Sequence, residues 1–166
     1  MQDAIFGELL LDEEYDWWSK KQTIDFGGTP TTVEILIDKD KKQTEVSEKQ
    51  HKTFQRFMEK WPELQGKLID DLIEYYNEDQ RFAWGPDDEE EFDEWWPEIE
   101  TKEALLNAVT LESILIRPDF LTEDDEHSIY LLFSRTWGGD DDDDNGIGVH
   151  ILNEEIEEIA YKDIAF

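Results

Sequence analysis

The sequence predicts an α+β fold formed by a single domain, residues 1–166. Apolar residues alternate with polar ones in the first 38 residues and recur at helical spacing between about residues 45 and 109. They return to strand-like runs between about residues 112 and 161. Strands, then helices, then strands is the order expected of an α+β domain. A chain of 166 residues is long enough for one domain to bury a sizeable core.

The N-terminal strands predict a three-stranded antiparallel meander. These strands are predicted at residues 5–11, 17–26 and 31–38. Val33, Ile35 and Ile37 occupy one face of the third strand, which is the period-two pattern of a half-buried strand. The Gly-Gly-Thr-Pro run at residues 27–30 predicts the turn that precedes it.

Helical spacing begins after the meander and predicts a first helix over about residues 46–61. Ser47 and Gln50 form a capping-box pattern at its start, with Thr44 as a competing cap. Pro62 is predicted to end this helix and to begin a second one, because proline is tolerated in a first helical turn.

The second helix is predicted over residues 64–76, which carry a continuous apolar stripe. Thr101 is predicted to cap a further short helix that carries Leu105, Leu106 and Val109. Four strands are then predicted, at residues 113–116, 128–137, 146–152 and 155–161. These C-terminal strands are expected to be antiparallel. The pattern leaves open whether they share one sheet with the N-terminal strands.

The charge of the chain is strongly negative and unevenly distributed. The net charge is −30, with −4 carried by residues 1–67 and −26 by residues 68–166. Such a charge repels nucleic-acid backbones and anionic membranes, so neither is an expected partner. The aromatic content of 13% argues against a disordered acidic chain. The acidity instead favours a basic protein surface, a cation or solubility.

The first acidic concentration combines carboxylates with aromatic side chains and is predicted to form a short helix. It is the candidate partner-binding segment, made of Asp87, Asp88, Glu89, Glu90, Glu91, Asp93, Glu94, Trp95 and Trp96. Aromatic anchors in a charged surround are typical of protein interfaces. The alternative is an ordinary amphipathic helix whose aromatic residues lie in the core and whose acids face water.

The second acidic concentration is predicted to form the tip of a hairpin between two strands. Its oxygen ligands make it a candidate calcium site, composed of Asp140, Asp141, Asp142, Asp143, Asp144 and Asn145. It is not an EF-hand, because the twelfth position of the loop is Leu152 and strands flank it. The alternative is a solvated acidic turn that holds no metal.

Residue patterns typical of enzymes are missing from the sequence. His51, His127 and His150 are scattered and lack the spacing of a zinc motif. There is no nucleophile elbow, and the glycines at 138–139 precede aspartates that would repel a phosphate. The sequence therefore predicts a protein without catalytic activity and without a cofactor.

The cellular compartment is predicted from features that are missing from the sequence. It contains no cysteine, which fits a reducing environment. Its first residues show no signal peptide, and no run is long and apolar enough to span a membrane. We therefore expect a cytoplasmic protein, while its oligomeric state is not predicted.

The order of several short motifs resembles a known family. They are Phe6-Gly-x-Leu9-x-x-Asp12, a Trp-bearing strand, two helices, a Trp followed by acids and Gly-Ile-Gly-Val, and Asp163-Ile-Ala-Phe166. This order resembles small, acidic, uncharacterised bacterial cytosolic proteins found in the company of immunity proteins of polymorphic toxins. Members of that family often carry Glu-His-Gly where this chain reads Asp144-Asn145-Gly146. No role of that histidine can therefore be transferred.

Four hypotheses follow from the charge and the resemblance. The first is an immunity-type inhibitor that covers the basic site of a partner, such as a toxin nuclease. The second is a nucleic-acid mimic that competes for DNA-binding enzymes. The third is a calcium-responsive domain. The fourth is a housekeeping protein whose acidity serves only solubility, although the uneven distribution of charge argues against it.

Overall fold

The described residues are built around one twisted mixed sheet with a long helix on one face. The computed structural model of the chain describes residues 1–84, 94–138 and 146–166. The strands within these residues are β1 (Gln2–Asp3), β2 (Gly7–Glu8), β3 (Leu10–Asp12), β4 (Trp17–Phe26), β5 (Thr29–Asp38), β6 (Val109–Ile116), β7 (Ser128–Arg135), β8 (Ile147–Leu152) and β9 (Glu155–Tyr161). The helical elements are α1 (Glu48–Tyr75), a π-helix (Tyr76–Gln80), α2 (Arg81–Trp84), α3 (Lys102–Ala108) and the 3-10 turns Asp119–Leu121 and Lys162–Ala165.

The N-terminal and C-terminal strands belong to a single sheet. Within the described residues this sheet has seven strands in the order β3-β4-β5-β6-β7-β8-β9. The meander β3-β4-β5 and the run β6 to β9 are antiparallel, as predicted, whereas β5 and β6 pair in parallel with Ile35 opposite Ile114. Parallel neighbours require a crossover connection. The chain between β5 and β6, which includes α1 and α3, provides it.

The strand predicted over residues 5–11 is replaced by a turn and two short pairings. β1 and β2 form a separate two-stranded hairpin, and β3 alone joins the main sheet. The side chain of Asp3 accepts hydrogen bonds from the backbone N–H of Ile5 (2.8 Å) and of Phe6 (2.9 Å), and Gly7 has a φ of 75°. These local bonds compete with strand pairing. The buried side chains of Phe6 and Leu9 then pack into the core from the turn.

The predicted helix break at Pro62 is wrong, because α1 continues through that residue from Glu48 to Tyr75. Proline in a helix interior removes one backbone hydrogen bond. The apolar stripe nevertheless remains in phase on both sides of Pro62, so burial against the sheet holds both halves in one helix. The buried apolar residues of the stripe are Phe54, Phe57, Trp61, Leu64, Leu68, Ile69 and Leu72.

Both predicted helix caps are confirmed. The Ser47 hydroxyl accepts from the Gln50 N–H at 3.0 Å, and the Gln50 side chain accepts from the Ser47 N–H at 3.2 Å. This reciprocal pair is a capping box and excludes Thr44 as the cap of α1. Thr101 caps α3 by accepting from the Ala104 N–H at 3.1 Å.

We expect Pro62→Ala to raise the free energy of unfolding by about 2 kcal/mol. Proline costs a helix interior about 3 kcal/mol, and roughly 1 kcal/mol of that is offset because proline restricts the unfolded chain. Pro62 is exposed, so the change opens no cavity. Urea unfolding followed by circular dichroism measures the difference.

Gly66→Ala is the matched control within the same helix. A Cβ at Gly66 meets nothing within 4 Å, and we expect a gain of about 0.5–1 kcal/mol from helix propensity alone. A loss of stability in Pro62→Ala would mean that the proline is required for the course of α1.

The two faces of the sheet are covered unequally. The face toward α1 carries fully buried side chains such as Ile35, Ile37 and Ile114. The opposite face carries a smaller apolar cluster of Leu36, Leu115, Leu132 and Ala165, with Trp17 and Tyr130 packed against it. Ala165 lies in the C-terminal 3-10 turn, which covers part of this second face. None of the helices in the described ranges combines the length and apolar character needed to cross a membrane.

Candidate partner-binding site

Residues 94–100, which include the C-terminal end of the first acidic concentration, form a strap along the π-helix and α2. Side chains of the π-helix and of α2 donate to its backbone carbonyls. The three hydrogen bonds run from Tyr76 Oη to Pro97 O (2.6 Å), from Asn77 Nδ2 to Ile99 O (2.7 Å) and from Arg81 Nε to Trp96 O (3.0 Å). π-Helices are rare and occur often at functional sites. This one presents the side chains that fix the strap.

The adjacent residues Trp95 and Trp96 have different environments. Trp96 is 8% exposed, and its ring lies nearly parallel to that of Tyr76, with 6.5 Å between centroids and 11° between planes. Trp95 is 44% exposed, and its neighbour Glu94 is exposed as well. The strap therefore holds one tryptophan in the core and presents the next one to solvent beside a carboxylate.

Stacked aromatic side chains pack next to the strap. Tyr76 packs on Trp137, with ring centroids 4.4 Å apart, and Trp137 is fully buried. Burial raises the pKa of Tyr76 to about 12, so its hydroxyl stays protonated and donates to the strap throughout the physiological range. The indole N–H of Trp137 has no hydrogen-bond partner within the residues that the structure describes. Packing, including the Arg135 guanidinium 5.8 Å from its ring centroid, holds this side chain.

The strap is bonded directly to the base of the second acidic concentration. The backbone N–H of Gly138 donates to the carbonyl oxygen of Trp95 at 2.8 Å. Gly138 precedes the aspartate run in the sequence, and Trp95 lies at the C-terminal end of the first acidic concentration. The two acidic segments are therefore attached to the described fold at adjacent points, which we call the acidic junction.

The predicted site residues are only partly covered by the structure. The residues of the first acidic segment that lie outside the described ranges are Asp87, Asp88, Glu89, Glu90, Glu91 and Asp93. Of the short helix predicted for this segment, the structure describes residues 94 and 95, and both are helical. Trp96 is buried, so its contribution is to packing, whereas Glu94 and Trp95 are accessible.

The candidate calcium ligands all lie outside the described residues, namely Asp140, Asp141, Asp142, Asp143, Asp144 and Asn145. In the part of the chain that the structure does describe, no group of three or more histidine or carboxylate side chains is arranged to hold a metal ion.

The three histidines lie in separate places and bond to separate partners. His51 Nε2 contacts Asp3 at 2.8 Å, His127 Nδ1 contacts the Thr53 hydroxyl at 2.8 Å, and His150 Nε2 contacts the Ser128 hydroxyl at 2.8 Å. Burial lowers the pKa of both His127 and His150. These contacts tie α1 to the N-terminal turn, α1 to the loop before β7, and β7 to β8.

Sequence reasoning missed the acidic junction and the residues that build it. The sequence pattern places Tyr76 in the apolar stripe of a helix and Gly138 before the aspartate run, and it indicates no contact between these regions. The hydrogen bond between Gly138 and Trp95 joins residues 43 positions apart in the sequence. A local pattern carries no signal for such a contact.

Comparison with known proteins gives one match. A family model described as "Domain of unknown function (DUF6985)" matches residues 5–166. No curated protein and no solved structure matches the chain significantly.

Proposed function

The chain belongs to the DUF6985 family, a domain of unknown function, and we propose from its charge and its acidic junction that it is a non-enzymatic acidic binding protein. The proposed partner is a basic protein. In this proposal the acidic segments and Trp95 cover the partner's cationic site. The observation that carries the proposal is the hydrogen bond between Gly138 and Trp95, at 2.8 Å, which brings the attachment points of both acidic segments together.

Electrostatics supports a basic partner. Residues 68–166 hold a net charge of −26, and both acidic runs belong to this part of the chain. Concentrated charge of one sign steers an oppositely charged protein to its binding site and raises the association rate. Acidic residues scattered over the surface would give low specificity for any one basic partner. Two acidic runs attached at one place instead concentrate the negative electrostatic potential there.

Trp95 supports a protein partner rather than a free cation. Exposed tryptophans are enriched among the residues that contribute most to protein interfaces. Its carbonyl is held by Gly138, and its neighbour Trp96 is packed on Tyr76. A side chain whose backbone is already ordered loses less conformational entropy on binding.

The partner class that we propose is a toxin nuclease, and the chain would then be an immunity-type inhibitor in the bacterial cytoplasm. A nuclease must attract a polyanion, so its active site is cationic. An acidic protein that covers this site blocks access of the nucleic acid. The support for this finer proposal is the family resemblance together with the charge.

The first experiment is affinity capture from a lysate of the source organism at moderate salt, followed by a wash at high salt. A dedicated inhibitor retains one stoichiometric basic partner through the wash, because apolar and hydrogen-bonded contacts add to the screened charges. A nucleic-acid mimic retains many unrelated basic proteins at moderate salt and loses them in the wash. A melting temperature that rises with millimolar calcium but not with magnesium would favour the calcium-responsive domain instead.

Charge-neutralising variants test the site itself once the partner is in hand. Replacing the acids at 87–94 or at 140–144 by their amides should slow association with the partner roughly tenfold or more at low salt. The matched comparison is Asp141→Asn with Asp142→Asn against Asp124→Asn with Asp125→Asn. The second pair is also adjacent, and it lies exposed in a turn of the 119–126 region. Equal association rates for the two pairs would contradict the proposed site.

A further inference from the structure

A second candidate site lies at the opposite end of the sheet from the acidic junction. It is a groove of about 500 Å³ on the face that α1 leaves uncovered. The groove is lined by Tyr15, Trp17, Asp38, Leu115, Arg117 and Phe166. Arg117 follows the end of β6, and the other end of β6 pairs with Arg135, close to Trp137. The length of the strands therefore separates the groove from the strap.

Aromatic rings form the walls of the groove. Tyr15 and Trp17 stack with their centroids 4.8 Å apart and their planes at 17°. The Asp12 carboxylate fixes the turn by accepting from the Glu14 N–H (2.9 Å) and the Tyr15 N–H (3.3 Å). Tyr15 is 57% exposed and Phe166 is 72% exposed. Two accessible aromatic side chains therefore line the groove.

An ion pair between Arg117 and Asp38 also lines the groove. Arg117 Nη1 is 3.4 Å from the Asp38 carboxylate and donates to the Ala165 carbonyl at 2.9 Å. The same guanidinium lies 5.8 Å from the ring centroid of Tyr130. Burial raises the pKa of Asp38, although the Arg117 charge acts in the opposite direction. The Asp38 carboxylate is partly exposed beside Arg117, and a further cation next to it would stabilise its charged form.

The charges around the aromatic wall are mainly negative. The turn that carries Tyr15 reads Asp12-Glu13-Glu14-Tyr15-Asp16. Lys39 lies 3.9 Å from Asp16, which leaves the other carboxylates of the turn in excess. Aromatic faces surrounded by carboxylates attract cations, because the ring quadrupole and the full charges act in the same direction.

We propose that this groove binds the side chain of an arginine exposed on a partner protein. The guanidinium stacks on the accessible ring of Tyr15 and donates a hydrogen bond to the carboxylate of Asp38. Arginine fits better than lysine because its guanidinium is planar, stacks on rings and donates from several N–H groups at once. A ligand with a negative charge would be repelled by the acidic turn. The site is distinct from the acidic junction and does not depend on the function proposed there.

Nuclear magnetic resonance with a short peptide tests this assignment. The probe is acetyl-Gly-Arg-Gly-amide, added to ¹⁵N-labelled protein while the indole N–H signals are followed. We expect the Trp17 indole signal to shift, with a dissociation constant on the order of millimolar, because one stacked cation supplies only a small part of an interface. The lysine peptide should bind several-fold more weakly. The citrulline peptide, which has the same shape without the charge, should cause no shift.

Two variants of exposed aromatic residues provide the matched control. Tyr15→Ala should weaken binding of the arginine peptide at least tenfold, whereas Trp95→Ala at the acidic junction should leave it unchanged. Both residues are accessible, so neither change removes core packing. Asp38→Asn should weaken binding about tenfold as well, because the charged acceptor is lost.

Three results would overturn the inference. They are equal shifts with the citrulline peptide, unchanged binding by Tyr15→Ala, and peptide shifts confined to the Trp95 indole. The last result would locate cation binding at the acidic junction alone and would leave the proposed function of that junction intact. Conversely, the groove can bind the arginine peptide even if no basic partner needs the acidic segments.

Discussion

Replacing Trp96 by alanine is expected to lower the free energy of unfolding by about 3–5 kcal/mol, the range found when a large buried aromatic side chain is truncated. Trp96 is 8% exposed and packs against Tyr76, which in turn packs on Trp137. Truncation leaves a cavity beside this stack. Equilibrium unfolding in urea, monitored by far-ultraviolet circular dichroism, measures the loss.

The neighbouring substitution Trp95→Ala is the control for this prediction. Trp95 is 44% exposed, so its removal should change stability by no more than about 0.5 kcal/mol. It should instead lower affinity for the captured partner, since an exposed tryptophan in an interface contributes about 2 kcal/mol or more. If the two variants lost the same stability, Trp95 would also be a core residue, and the anchor in the proposed site would be missing.

Most strands were predictable because burial imposes a short-range pattern on them. In β5, Val33, Ile35 and Ile37 belong to the core against α1, whereas Glu34 and Leu36 lie on the other face, so every second residue marks the face toward the helix. The caps Ser47 and Thr101 were predictable for a similar reason, since each accepts a hydrogen bond from an N–H three residues away.

The helix through Pro62 was not predictable from the local rule that identified it as a break. That rule considers one lost hydrogen bond and the steric effect of the ring. The outcome is decided by the seven buried apolar residues of α1, which keep the same face toward the sheet before and after the proline. Tertiary burial of this size outweighs a local penalty of about 3 kcal/mol.

The shared sheet and the two candidate sites depend on contacts that are distant in the sequence. The parallel pairing of Ile35 with Ile114 decides that there is one sheet, and no alternation pattern distinguishes one sheet from two. The acidic junction requires that Gly138 meets Trp95. The groove requires that Tyr15, in an acidic turn, lies near Arg117 at the end of β6. In each case the sequence shows the residues but does not show that they lie close together.

The fold places the two candidate sites at opposite ends of the sheet. Both acidic segments are attached near the strap, at the end of the sheet where β7 ends. The groove lies at the other end, where Asp38 is paired with Arg117 and the acids of the 12–16 turn surround an aromatic wall. Under the two proposals, a basic partner would meet two different surfaces, namely the acidic junction with Trp95 and the groove beside Asp38.

Gly146→Ala is expected to destabilise the fold by about 3 kcal/mol, at the upper end of the range for overpacking. Gly146 follows the second acidic segment and leads directly into β8. A Cβ at this position would overlap the carbonyl oxygen of Phe133, which is backbone and cannot move without disturbing β7. It would also lie 2.7 Å from Cε of Lys162. Thermal and urea unfolding of the variant measure the effect.

A series of glycine variants makes this prediction specific to the close approach. In Gly148→Ala the new Cβ would lie 2.8 Å from Cγ1 of Ile164 and from the Tyr161 carbonyl oxygen. We expect a smaller loss than in Gly146→Ala, because the overlap with a backbone oxygen is less close and the Ile164 side chain can shift. Gly66→Ala meets nothing within 4 Å and should be stabilising. The expected order of stability is therefore Gly66→Ala above wild type, then Gly148→Ala, then Gly146→Ala. A Gly146→Ala protein as stable as wild type would show that β7 and β8 can accommodate a Cβ at this position, and it would contradict the prediction.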